Sequence, residues 1–167
     1  MPTATYEKIS AVNLTGNAAS IEFTSIPQTY TDLRLVLCSK LSGSNDTIYL
    51  QFNGNSSAIY DQIIFYGTGS NPASGLNTNG TYVGFPQGWG ARDYPFIITG
   101  DIMNYSSSSF QKTLLATGGT VNGTTRGLSI EIGRWKNTAA ITSIFMAGFS
   151  YSFTADTKCT LYGIKKA

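Results

Sequence analysis

The chain has 167 residues, only 12% of them charged against ~25% in an average domain, with 13% aromatics and a formal net charge of +2. That length fits one domain able to bury its own core without a disulfide or metal staple. The near-zero charge argues against electrostatically driven nucleic-acid binding, and the absence of histidine removes His acid–base chemistry and His metal ligation.

Ser, Thr, Asn and Gly supply 68 residues, so the expected surface is neutral and rich in hydroxyls and amides. Low net charge combined with many aromatics is the reverse of the disordered composition, and the chain should fold. The N-terminus, Met1–Tyr6, has neither a basic nor an apolar region of the secretory kind. Apolar runs such as Leu35–Cys38 are too short for a membrane-spanning helix.

In chain order, the strands expected are Tyr6–Leu14, Ser20–Thr24, Leu33–Cys38, Ile48–Asn53, Gln62–Tyr66, Tyr82–Phe85, Phe96–Tyr105, Phe110–Thr117, Leu128–Arg134, Ile141–Ser150 and Thr160–Lys165. All are rich in Ile, Val, Thr, Tyr and Phe, and several alternate with period two. Leu33, Leu35 and Leu37, then Ile48, Leu50 and Phe52, then Leu128, Ile130 and Ile132 each read as the apolar side of a strand. Glu22 and Glu131 fall on the polar side. Turn signals separate the strands, among them Asn53-Gly54, Ser106–Ser109, Gly118-Gly119 and Asn122-Gly123. No helical stripe is present beyond a turn near Ile26–Tyr30 or Asn137–Ala140. These observations predict an all-β antiparallel sandwich, jelly-roll-like, of about 8–11 strands, forming one domain over 1–167 with a long polar loop at Gly67–Gly80.

Cys38 and Cys159 lie in apolar strands and read as small packed hydrophobes, although a bond between them is not excluded by spacing. Six Asn-x-Ser/Thr triplets follow from the composition rather than from a secretory context. The nine carboxylates are scattered; Asp93 and Asp101 are the most site-like, but no pairing is evident. No phosphate loop, nucleophile elbow or metal-ligand spacing occurs. The expected catalytic and metal residues are therefore none, with no cofactor.

One segment looks made for contact. Phe85–Pro95 concentrates Phe85, Trp89, Arg92, Asp93 and Tyr94 among Gly and Pro residues, and aromatics with arginine are the usual anchors of interfaces and sugar-stacking sites. Trp135 reads instead as core or strand-end packing.

Five further segments carry a resemblance: Ser25–Leu33 (SIPQTYTDL), Leu50–Gly54 (LQFNG), Ile102–Tyr105 (IMNY), Thr138–Ile144 (TAAITSI) and Leu161–Lys165 (LYGIK). In that order, over about Tyr6–Lys166, they resemble a family of small β-rich virion structural proteins of tailed bacteriophages, of the cyanophage type. The resemblance implies a sandwich that assembles as a homotrimer on the particle exterior and carries no catalytic residues. It implies a capsid decoration or cement protein that binds across major capsid protein junctions, made in the host bacterial cytoplasm and located on the virion. The alternative is a tail fibre or spike module adsorbing to host surface glycans. A chain that reaches sandwich-like strands by Tyr6 and shows no shaft favours the first. A glycan-degrading enzyme is the third and weakest reading.

Overall fold

The computed structural model describes residues 5–43, 46–67, 71–88, 94–122 and 125–165. It contains twelve strands: β1 (Tyr6–Asn13), β2 (Ser20–Phe23), β3 (Asp32–Ser39), β4 (Asp46–Phe52), β5 (Tyr60–Gly67), β6 (Pro72–Gly80), β7 (Val83–Gly88), β8 (Phe96–Met103), β9 (Lys112–Asn122), β10 (Thr125–Trp135), β11 (Ile144–Gly148) and β12 (Lys158–Ile164). Among the described residues there is no helix, hence none long and apolar enough to cross a membrane.

The strands form two sheets, an eight-stranded one in the order β1-β12-β3-β8-β9-β10-β5-β6 and a four-stranded one in the order β2-β11-β4-β7. The paired strands are antiparallel throughout. The chain passes from one sheet to the other at most connections, leaving β5-β6 and β8-β9-β10 as local meanders of the larger sheet. The all-β sandwich expected from the period-two pattern is thus what the chain adopts.

The core lies between the sheets. Leu33, Leu35 and Leu37 of β3 and Ile48, Leu50 and Phe52 of β4 all point into it, as their alternation predicts. At one end Trp135 stacks on Tyr60, with ring centroids 6.4 Å apart, and tilts against Phe52 at 5.7 Å. The Tyr60 hydroxyl receives the Phe52 N–H and donates to the Asn55 carbonyl, so the buried ring keeps its polar tip satisfied. Lys112 is buried beside this end, and its ammonium donates to the Ser107, Phe110 and Thr138 carbonyls. Asn53, at φ 54°, ties the β4 exit to the 140–143 segment: its amide donates to the Ala140 carbonyl, and its oxygen accepts from the Thr142 and Ser143 N–H groups.

The structure corrects three expectations. Most of Gly67–Gly80 is not a loop, because Pro72–Gly80 forms the edge strand β6, paired with β5. An edge strand needs partners for one row of backbone groups only, so a polar, glycine-containing sequence with proline at its first position can supply it. Gly118-Gly119 is not a turn but lies within β9, paired with β8 and β10. The two thiols are not alike: Cys159 faces the core, and burial pushes its thiol up to about 12, whereas Cys38 is exposed. Cys38 pairs with Lys158 and Cys159 with Leu37, so the two side chains leave adjacent strands on opposite faces.

β7 makes the closest approach between the sheets, and glycine permits it. A Cβ on Gly133 would lie 1.8 Å from Val83 Cγ2, and one on Gly100 would lie 2.5 Å from Phe85 Cε2. Gly133→Ala should therefore destabilise the fold by about 1–3 kcal/mol, the usual cost of overpacking a core. Adding Val83→Ala should recover part of that loss in a urea-denaturation double-mutant cycle, and strictly additive losses would show that the two residues do not press on each other.

Candidate functional site

The parity of β10 decides which surface of this protein is unusual. Trp135 is buried, so the residues two, four, six and eight positions before it, Gly133, Glu131, Ser129 and Gly127, also face inward. Leu128, Ile130 and Ile132 are consequently turned outward, at 64%, 44% and 48% exposure. This reverses the sequence expectation that the aliphatic side of the strand lines the core and that Glu131 meets solvent.

Cross-strand neighbours extend the aliphatic row into a face. Ile132 lies between Leu115 on β9 and Ile63 on β5, and Ile63 adjoins Leu76 on β6. In the next row Ile130 adjoins Phe65 and Thr117, and Thr117 adjoins Thr99. In the third, Leu128 and Ile97 flank Gly119, and a trough runs between them. An open groove of about 630 Å³ follows that trough, lined by Ile97, Thr117, Gly118, Gly119 and Leu128 with Cys38 and Pro95 at its rim. Phe65, Leu76, Ile97 and Leu115 are 42–73% exposed. With the three β10 residues they present on the order of 600–700 Å² of apolar surface, at or above the largest patch of a typical monomer.

Several of the charges that border this face are paired. Arg34 makes a bidentate contact with Asp101, both distances 2.6 Å. Asp61 takes Arg134 on one oxygen, and on the other both Lys136, at 2.9 Å, and the Asn79 N–H. Those partners, Arg134 first, hold the Asp61 carboxyl well below the usual carboxylate range.

Behind the face, Glu131 is 1% exposed, and its Oε1 has no hydrogen-bond partner among the described residues. Ser129 Oγ on the same strand is likewise unpartnered. A Cβ on Gly84 of β7 would stand 2.3 Å from Glu131 Oε1, so the carboxyl sits directly under that strand. The Gly84 N–H itself donates to Gln62 Oε1 at 2.5 Å. Burial pushes the Glu131 carboxyl up to about 7.

Of the residues expected to make contacts, Phe85 is fully buried over Gly100 and belongs to the core rather than to a surface. Tyr94 is 45% exposed, and the adjoining Pro95 is held at the groove rim by the Thr120 hydroxyl, which donates to its carbonyl at 3.1 Å. Trp89, Arg92 and Asp93 lie outside the described residues. Asp101 is committed to Arg34. The outward aliphatic row was missed, although one signal for it stands in the sequence: Trp135 shares its parity with Ser129 and Glu131, not with the leucine and isoleucines.

No protein-family description matches this chain, and no curated protein matches it either. Among solved structures it is similar to the crystal structure of the marine PL-14 alginate lyase from Aplysia kurodai, at 11% identity over 85% of this chain and 72% of that one, with a TM-score of 0.34. A likeness at that level bears on neither activity nor substrate.

Glu131 makes a pH prediction. Its carboxyl binds a proton more tightly in the folded chain than in the unfolded one, so stability falls as pH rises from about 4.5 to about 7 and levels off above. The expected loss is on the order of 3 kcal/mol. No histidine titrates in that window, and Asp61 and Glu7, held low by their cationic partners, act below it. Urea midpoints of the wild type should drop between pH 5 and pH 8, whereas those of Glu131→Gln should stay level. A wild-type midpoint that does not move would show the carboxyl to be solvated.

Proposed function

We propose that this protein is a non-enzymatic structural component of a phage virion, a capsid decoration or cement protein that joins surfaces rather than transforming a substrate. The observation that carries the reading is the outward aliphatic row of β10: the strand turns Ser129 and Glu131 inward and leaves Leu128, Ile130 and Ile132 for something outside the chain. Exposed apolar patches of this extent mark interaction sites. The resemblance of the SIPQTYTDL and LYGIK segments to phage virion proteins supplies the setting.

In this reading the protein is synthesised in the host cytoplasm and takes its place on the capsid exterior. Its partners are the major capsid protein and other copies of itself. A stiff sandwich bridging neighbouring capsid subunits resists their separation through buried area and through engaging more than one subunit at once. The Tyr94-Pro95 corner, where the contact-like segment rejoins the sheet beside the groove, is the proposed capsid-facing anchor.

A second reading, a tail fibre or spike module that adsorbs to host glycans, is favoured by one observation on the smaller sheet. Tyr49, Tyr82, Phe145 and Phe149 cluster there, with ring centroids 4.9–6.1 Å apart. Aromatic faces of this kind can stack on sugar rings.

The two readings part in one experiment. Purified protein added to expanded empty capsids of its own phage should bind saturably and raise their melting temperature, and Tyr94→Ala should weaken that binding at least tenfold. Saturable binding to host cells with none to capsids would reject the cement reading in favour of the adhesin.

A further inference from the structure

We infer that the outer face of the eight-stranded sheet is the contact between two copies of this chain, related by a two-fold axis and packed sheet against sheet. The inference rests on the reading of that face as an interaction surface and names its occupant.

Three observations select a second copy. The first is area. The exposed aliphatic and aromatic side chains of β5, β6, β8, β9 and β10 offer on the order of 600–700 Å² of apolar surface, against the ~800 Å² in total that each partner contributes to a standard stable interface. The second is charge. Within the rows that carry the patch, Asp101 is neutralised by Arg34, and Arg134 on the bordering row is neutralised by Asp61. A surface whose charges are matched among themselves meets its own copy without like-charge repulsion. The third is relief. The same patch carries both a ridge, Leu128–Ile130–Ile132, and a trough at Gly118-Gly119 beside it. A surface holding ridge and trough side by side can interdigitate with itself when one copy is turned half a revolution, as facing sheets in a sandwich do at a separation of ~10 Å.

Symmetry follows from the same patch serving both copies. A contact in which the same residues meet on both sides is isologous and closes at two copies, whereas a three-fold ring needs two different surfaces per chain. The pair would present two Tyr94-Pro95 corners related by the axis, and so two anchors on a capsid.

Sedimentation equilibrium tests this. The wild type should have twice the 17.9 kDa chain mass at micromolar concentration. Ile130→Lys should weaken association at least ~100-fold by placing an unpaired charge in the contact. Leu76→Lys, on the exposed edge strand where folding is not at risk, should weaken it too. Phe110→Lys, at a residue 66% exposed but on a loop away from the face, should leave the dimer intact. A wild type that stays monomeric to about 100 µM, a three-chain mass, or a dimer untouched by both face substitutions would overturn the inference. A two-chain mass lost in both face variants, with no binding to capsids, would sustain this contact while sinking the cement reading. A monomeric wild type that binds capsids would do the reverse.

Discussion

The packing of Trp135 against Tyr60 and Phe52 is the constraint from which the rest follows. A strand has two faces and one parity, so burying Trp135 commits every second residue before it to the interior. β10 therefore puts glycine, serine and glutamate under the four-stranded sheet, and β7 comes close enough for Val83 to occupy the space a Gly133 side chain would need. The same commitment turns three aliphatic residues away from the core. A one-residue slip would bury the aliphatics, but it would eject Trp135 and drive bulk into the narrow gap beneath β7.

A chain arranged this way is stable within itself yet incomplete at its surface. Glu131, Ser129 and the Trp135 indole carry buried polar atoms without partners among the described residues, a local cost that the aliphatic β3 and β4 rows offset. Outside, a broad apolar face in which Asp101 is neutralised by Arg34 fits the surface-joining role proposed above. Such a face suits a chain that works by occupying space between other molecules, with its neutral hydroxyl-rich remainder left to solvent.

Much of the fold was legible in the sequence. The β3 and β4 alternations gave the correct inward faces, and eleven of the twelve strands fall where period two and turn signals put them. β6 was illegible because an edge strand is stabilised by backbone pairing with β5, and its side chains Asn77, Asn79 and Ser74 carry no apolar signature. The inward face of β10 was misread because alternation reports that a strand has an apolar side, not where the core lies. On a sheet with apolar side chains on both faces, only a landmark such as Trp135 separates the two. The contact segment was legible as composition, yet its first aromatic, Phe85, proved to be a core residue with the inward parity of Val83 in β7.

The most direct test of the account is the solvent exposure of individual side chains on β10. With a soluble paramagnetic agent present, the Ile130 and Ile132 methyl signals of the association-weakened Leu76→Lys variant, kept dilute, should broaden strongly while the Trp135 indole signal does not. In the wild type the same methyls should be protected. Methyls shielded in the dilute monomeric variant as well would place the aliphatic row inside the sandwich and contradict the strand parity on which all of this stands.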